Sequence, residues 1–203
     1  MKAKDLKVLR KKFLRVDRIG SPLDDSKIAG QLNDILSGPW KLKYFAGPSA
    51  PIDSLLDLFE RNMGDFYRKS SWGLDLVQKA DDLAHRRARH LVVYDDNEHM
   101  AAYCHYQYDY DDEEHPERVV FYVYELQIEE KYQRLGLGTK LMKCMEYLAQ
   151  SADLDSVLLT VFFENTSAMA FYQNLGYEVD VSSPSKFNQR EDYEILFKKV
   201  DAL

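Results

Sequence analysis

Tyr122, Tyr124 and Glu125 stand together in the stretch Val-Val-Phe-Tyr-Val-Tyr-Glu-Leu-Gln-Ile that runs from Val119 to Ile128. Glu125 is the lone acid among apolar and aromatic neighbours. A carboxylate in such a setting is partly desolvated, which raises its pKa toward the range a general base needs. Strict alternation would put Glu125 on the face of Val119, Phe121 and Val123, with Tyr122 and Tyr124 between. The other reading, a glutamate at the solvated end of a strand, stays open. Further on comes Gln133-Arg134-Leu135-Gly136-Leu137-Gly138-Thr139. Glycines let a backbone take positive φ or approach a ligand closely. At a helix start, free N–H groups and the positive dipole end attract an anion. The spacing therefore predicts a pyrophosphate seat on the backbone of Arg134 to Thr139. It is neither a Walker loop nor a Rossmann turn.

Two elements must hold these groups. Val119 to Ile128 is a β-branched and aromatic run, apolar on both faces, which suits a central strand covered on both sides. Leu137, Leu141, Cys144, Met145 and Leu148 recur at helical spacing, so an amphipathic helix over 137–150 follows. Strand, glycine turn and helix form one unit.

That unit is similar to the acetyl-CoA signature of the GNAT N-acetyltransferases, through Gln133-x-x-Gly136-x-Gly138. The downstream run strengthens the likeness: strand residues 160–163, then Asn165-x-x-Ala168-x-x-Phe171-Tyr172, then Gly176-Tyr177 into another strand. The resemblance implies an α/β GNAT fold, a central mixed twisted sheet flanked by helices. It implies that strand 119–128 splays from strand 156–162 and that pantetheine lies in the gap against Leu126, Gln127 and Ile128. It implies cofactor contacts from Gln133 to Thr139 and from Asn165, with Tyr172 close to the sulfur. Outside the resemblance, Asn165 reads as a helix cap and Tyr172 as a core aromatic.

A closer resemblance links Glu60 to Trp72, Phe121 to Gly138, Leu158 to Phe162, Ser182-Ser-Pro-Ser185 and Asp192 to Leu196 to the NatD branch, N-terminal acetyltransferases of core histones that begin Ser-Gly-Arg. The likeness spans most of residues 50–197. It implies that Tyr67, Asp109, Tyr122, Tyr124, Glu125, Thr160, Ser182 and Tyr193 line a peptide pocket. Gln133 stands where arginine is frequent, and the loop from Ser185 to Asp192 has its own length. Acetyl transfer from a thioester needs a deprotonated amine close to the carbonyl, N–H donors for the oxyanion and a proton for the thiolate. Glu125, directly or through water, is the candidate base, with Tyr124 beside it; Tyr172 is the candidate proton donor. An α-amine, with a pKa of roughly 7.7–8 against about 10.4 for lysine, needs only a modest base. Transfer to lysine side chains or polyamines, and non-catalytic tail binding, are the competing readings.

The 203 residues, 45% hydrophobic, suffice for one core. Residues 1–18 hold eight basic and two acidic residues, a net +6, so the other 185 carry −13 of the total −7. An acidic body argues for a cationic partner and against a nucleic-acid reader. The basic N-terminal stretch, with Leu6, Leu9, Phe13 and Val16 at helical spacing, reads as a docked amphipathic helix in preference to a nucleic-acid patch. A second helix is expected over 23–36, capped by Ser21 or Asp24. A first strand over 40–45, a helix opened by Asp53 or Ser54, a hairpin across Asp95-Asp96-Asn97, and strands over 177–182 and 191–198 complete the chain. Residues 1–38 form a helical segment packed on a single acetyltransferase unit, 39–203. The acidic run Asp109 to Glu114 would attract a basic tail. No run approaches the ~18 apolar residues of a membrane span, and no apolar leader opens the chain. Cys104 and Cys144 read as free thiols in a reducing compartment. The histidines make no metal motif. A monomer working in cytoplasm and nucleus on histone tails, with acetyl-CoA as co-substrate and no metal, is the expectation.

Overall fold

The computed structural model describes residues 3–112 and 116–201. Its strands are β1 (Lys41–Ala46), β2 (Arg89–Tyr94), β3 (Met100–Tyr110), β4 (Val119–Ile128), β5 (Ser156–Phe162), β6 (Glu178–Val179) and β7 (Tyr193–Lys199). They form one mixed sheet in the order β1-β2-β3-β4-β5-β7-β6. Only β4 and β5, among the described residues, pair in parallel. The helices are α1 (Ala3–Val16), α2 (Ser26–Leu36), α3 (Ile52–Lys69), α4 (Leu76–Ala84), α5 (Leu137–Ser151) and α6 (Thr166–Asn174).

Side-chain alternation divides the core. Leu91, Val93, Cys104, Tyr106, Phe121 and Val157 pack in one layer with Leu9 and Val16 of α1, Leu32 of α2 and Leu141 and Met145 of α5. Their neighbours Val92 and Tyr103 pack on the other face against Leu55 and Leu58 of α3 and Leu83 of α4. Each fully buried leucine contributes roughly 1.5–3 kcal/mol. The site sits on the α3–α4 face, so these contacts fix its floor.

Three elements depart from the sequence expectation. The helix expected over 23–36 splits: Ser21 caps a short 3-10 turn at Pro22–Asp24, and Asp25 caps α2 by accepting from the Lys27 and Ile28 amides. The strand expected over 177–182 stops at Val179, because Asp180 Oδ1 accepts the Ser182 N–H at 2.9 Å and turns the chain away. Helix α4 was not expected at all. Asp75 starts it by accepting from the Val77 and Gln78 amides, both at 3.0 Å.

The β3–β4 ladder carries a bulge. His105 faces Glu125, while Tyr106 faces Val123, so Tyr124 has no partner opposite. One extra residue reverses the alternation. Glu125 therefore does not share the face of Val119, Phe121 and Val123, as alternation alone suggests. It lies with Tyr122 and Gln127 on the α3–α4 face.

Candidate active site

β4 and β5 stay paired only from Phe121 to Val123 against Val157 to Leu159, although both strands run on. Beyond that point they part. A cavity of about 710 Å³ fills the opening, walled by Tyr67 of α3, Lys79 of α4, Tyr122 to Gln127 of β4, Thr160 of β5, Tyr172 of α6 and Tyr193 of β7. Of the residues expected to hold the peptide, Tyr67, Asp109, Tyr122, Tyr124, Glu125, Thr160 and Tyr193 all line it.

Glu125 is only 5% exposed, yet it is not isolated. Lys79 Nζ donates to its Oε1 at 2.9 Å and Gln127 Nε2 to its Oε2 at 2.8 Å. Asn62 Nδ2 donates to Gln127 in turn, at 3.0 Å. The sequence expectation of a solitary acid is thereby corrected: each carboxylate oxygen already accepts a hydrogen bond, one of them from an ammonium group. Lys79 also donates to Tyr67 Oη at 3.3 Å and lies over the rings of Phe59 and Tyr67. Burial opposes its charge, but Glu125 and Tyr67 outweigh that and hold it above the ordinary lysine range. Sequence reasoning missed Lys79 because it missed α4. The available signal was Asp75 followed three residues later by Gln78, a capping pattern ahead of Leu83.

The phenols are hydroxyl donors. Tyr122 Oη and Thr160 Oγ1 share a hydrogen bond of 2.5 Å across the opening between β4 and β5. Tyr124 Oη donates to Asp109 Oδ2 at 2.9 Å, and Arg87 holds the other oxygen of Asp109 at 3.0 Å. Burial pushes Tyr67 and Tyr122 up to about 12. Burial, then the Asp109 charge, raises Tyr124, and burial raises Tyr172. Near neutral pH all four keep their protons, so they can give hydrogen bonds but not accept a proton. Around them Asp75, Asp82, Asp109 and Asp111 also line the cavity. Glu113 and Glu114 of the expected acidic run lie outside the described residues.

Ser182 does not line the cavity. Its hydroxyl goes to Asp180 at 2.6 Å. Ser183 and Ser185 both donate to the Glu194 carboxylate, and Ser183 Oγ accepts the Ile195 N–H at 2.9 Å. The Ser-Ser-Pro-Ser stretch therefore acts indirectly, by fixing the strand that presents Tyr193 and Ile195.

The two glycines of the turn serve different needs. Gly136 has φ +82°, and a Cβ there would meet nothing within 4 Å, so its role is conformational and the space before it is open. Arg134 also has positive φ, +59°. At Gly138 a Cβ would press on Ile128 Cδ1 at 3.1 Å and Phe171 Cζ at 3.2 Å, so bareness there lets α5 pack on β4 and α6. No side chain caps α5 at Gly136, which leaves the amides of Leu137, Gly138 and Thr139 available to an anion. Leu135 is exposed and Leu137 buried. Gln133 is exposed, and its side-chain amide donates to the Ile128 carbonyl at 3.0 Å. Leu126 and Gln127 border the cavity, and Asn165 both borders it and caps α6 through the Ala168 amide at 3.1 Å. No residue from Gln133 to Thr139 lines the cavity itself; the uncapped mouth lies past Ile128, at the end of β4, and the two features together fit a coenzyme with a diphosphate and an extended arm.

The Acetyltransferase (GNAT) family model matches residues 52–177. The chain belongs to that family. Similar solved structures are Ard1 from Thermoplasma volcanium (16% identity, TM-score 0.58, covering 81% of this chain and 99% of the other); the ribosomal-protein-S18-alanine N-acetyltransferase of Escherichia coli (16%, 0.53, 80% and 96%); and NAA60 of Arabidopsis thaliana in complex with a bisubstrate analogue (12%, 0.56, 80% and 100%). At such identities the likeness shows the fold. Membership makes this GNAT protein an acetyl-CoA-dependent acyltransferase. Acetyl-CoA supplies the activated thioester. The helix mouth at Gly136 to Thr139 would hold its diphosphate, and the opening beside Leu126 and Gln127 would take its arm.

Proposed function

We propose that the protein transfers acetyl from acetyl-CoA to the α-amino group of protein N-termini, and that its substrates are core histones beginning Ser-Gly-Arg. One observation carries this reading: a carboxylate and four hydroxyls, from Glu125, Tyr67, Tyr122, Tyr124 and Thr160, converge inside a cavity whose walls also carry Asp75, Asp82, Asp109 and Asp111. Hydroxyls suit the backbone of a small Ser-Gly start, and aspartates suit the guanidinium that follows. The stretches that resemble NatD enzymes supply Tyr67, Tyr122, Tyr124, Glu125 and Thr160.

The reaction is a direct transfer in a ternary complex. The amine nitrogen attacks the thioester carbon; the C–N bond forms and the C–S bond breaks. The nitrogen's surplus proton leaves through Glu125 or an adjacent water. The departing thiolate takes a proton from Tyr172. No covalent enzyme intermediate is needed. The partner is a histone tail, met in cytoplasm and nucleus by a monomer.

The same acidic walls favour a second reading, acetylation of lysine side chains or polyamines. Incubation with acetyl-CoA and a Ser-Gly-Arg-Gly peptide, followed by mass-spectrometric mapping, separates the two. The acetyl group is expected on the α-nitrogen. Acetylation that persists after chemical blocking of that nitrogen, or preference for free polyamines, would overturn the assignment. Inactivity toward every amine would leave a binding role.

A further inference from the structure

We propose that Lys79 is a positioning residue that acts through Glu125: its fixed ammonium neutralises the carboxylate at the amine seat, so that the incoming α-amine is not trapped there as an ammonium ion. This rests on the α-amine reading above and adds a residue that neither the sequence nor the family match singles out.

The geometry is that of a cation box already filled from within. Lys79 Nζ is 2.9 Å from Glu125 Oε1 and 3.3 Å from Tyr67 Oη, and it lies 4.6 Å from the Phe59 ring centre and 5.2 Å from that of Tyr67. Its side chain is 14% exposed. An ammonium over two aromatic rings and against a carboxylate is strongly held. The second carboxylate oxygen is occupied by Gln127, itself fixed by Asn62. Glu125 therefore has one orientation, with a donor on each oxygen and a matching positive charge already beside it.

The surroundings leave this pair in control of the charge. From α3 comes Tyr67, from β3 Tyr103 and His105, from β4 Tyr122 and Tyr124, and from α6 Tyr172. Burial keeps each phenol protonated and holds His105 well below the usual histidine range, hence neutral. The remaining charged groups, Asp75 at the cap of α4, Asp82 within it, Asp109 with its partner Arg87, and Asp111 and Asp112 just after β3, line the cavity or stand at its edge. Among the described residues, Glu125 is the one carboxylate within ion-pair distance of Lys79.

The consequence is electrostatic. An α-amine with a pKa of roughly 7.7–8 is partly neutral at pH 7. Beside an unpaired buried carboxylate its pKa would climb by about 1–3 units, and the nucleophile would vanish. Beside a carboxylate already matched by Lys79, it stays low. A lysine ε-ammonium, with its reference value near 10.4, gains no such relief and meets a like charge. Lys79 thus favours an amine that is neutral over one that is not.

The test is the pH profile of kcat, which reports groups in the bound complex, measured with a Ser-Gly-Arg-Gly peptide at saturating acetyl-CoA. Lys79→Met should move the acid limb up by about one unit. Lys79→Arg, which keeps the charge, should leave the limb near the wild-type position. The double variant Lys79→Met with Glu125→Gln should return it toward wild type, whatever its rate, because no unpaired carboxylate remains. Melting temperature and acetyl-CoA affinity are followed for each. An unshifted limb in folded Lys79→Met overturns the proposal, and so does a double variant shifted as far as the single one. If Lys79→Met does not fold, the neutral double variant and Glu125→Gln still decide: the former must keep the wild-type limb and the latter must move it down. Wild-type inactivity on α-amines would instead sink the function proposed above.

Discussion

Glu125 stands opposite His105 in the β3–β4 ladder although Val123 stands opposite Tyr106. The unpaired Tyr124 between them is what brings two successive side chains, Tyr124 and Glu125, to one cleft. Its ring stacks on His105 at 5.1 Å and its hydroxyl reaches Asp109. Tyr124→Phe keeps the ring and the bulge but removes that bond. A hydrogen bond to a charged group contributes about 1.5–3 kcal/mol. The expected outcome is a fall in kcat/KM for the peptide of roughly tenfold or more, with the melting temperature lowered by several degrees. Unaltered kinetics would show that Asp109 needs only Arg87.

Gly136→Val tests the helix mouth. A β-branched residue at φ +82° is strained by about 1–2 kcal/mol, which in a domain of this size lowers the melting temperature by several degrees. Its methyls would project into the open space before the α5 amides. Acetyl-CoA affinity, measured by calorimetry, should drop by at least about tenfold, the equivalent of 1.4 kcal/mol. Retained affinity would place the diphosphate elsewhere.

Much of this was legible in the chain because the determinants are local. The strand–turn–helix unit from Val119 to Ser151 needs only β-branched residues, two glycines and a helical stripe, all adjacent. The orientation of Glu125 was not legible, because the bulge is a property of the β3–β4 pairing and leaves no mark on β4 alone. Lys79 was invisible for a related reason: α4 is only nine residues long with one buried residue, Leu83, and its Lys79 matters through Glu125, 46 positions away. Ser182 misled because neighbouring serines in its segment do structural work for Glu194. Sequence motifs report which segments matter more readily than which atoms face the cleft.

Trp72 offers a test of the pocket's mouth. It is 48% exposed, yet its ring packs on Phe162 at 5.0 Å, Tyr193 at 4.9 Å and Tyr67 at 5.9 Å. It links the segment between α3 and α4 to the ends of β5 and β7, beside the cavity. Each aromatic contact contributes about 0.5–1.5 kcal/mol. Trp72→Ala should raise the peptide KM by roughly tenfold while changing kcat much less, since the residue touches neither Glu125 nor Tyr172 at the reacting end. An equal loss in kcat would mean that the aromatic cluster orders the chemistry as well as the substrate.

Acid should weaken the fold through its buried histidines. His90 Nε2 lies 2.8 Å from the Leu83 carbonyl, so that nitrogen donates, and Nδ1 is buried with no partner among the described residues. Burial pushes His90 down to about 4, below its ordinary 6.5. Between those values the unfolded chain binds a proton that the folded chain refuses, so stability is complete above pH 6.5 and is lost as pH falls toward 4. At pH 5 the loss from this residue alone is about 2 kcal/mol. His105, its ring tilted against that of His90 at 4.9 Å and displaced the same way by burial, adds to the trend. Urea unfolding at pH 7.5 and pH 5 should show the wild type losing at least that much, while His90→Gln, whose amide can still donate to Leu83, loses measurably less. Equal losses in the two proteins would move the acid sensitivity to other groups.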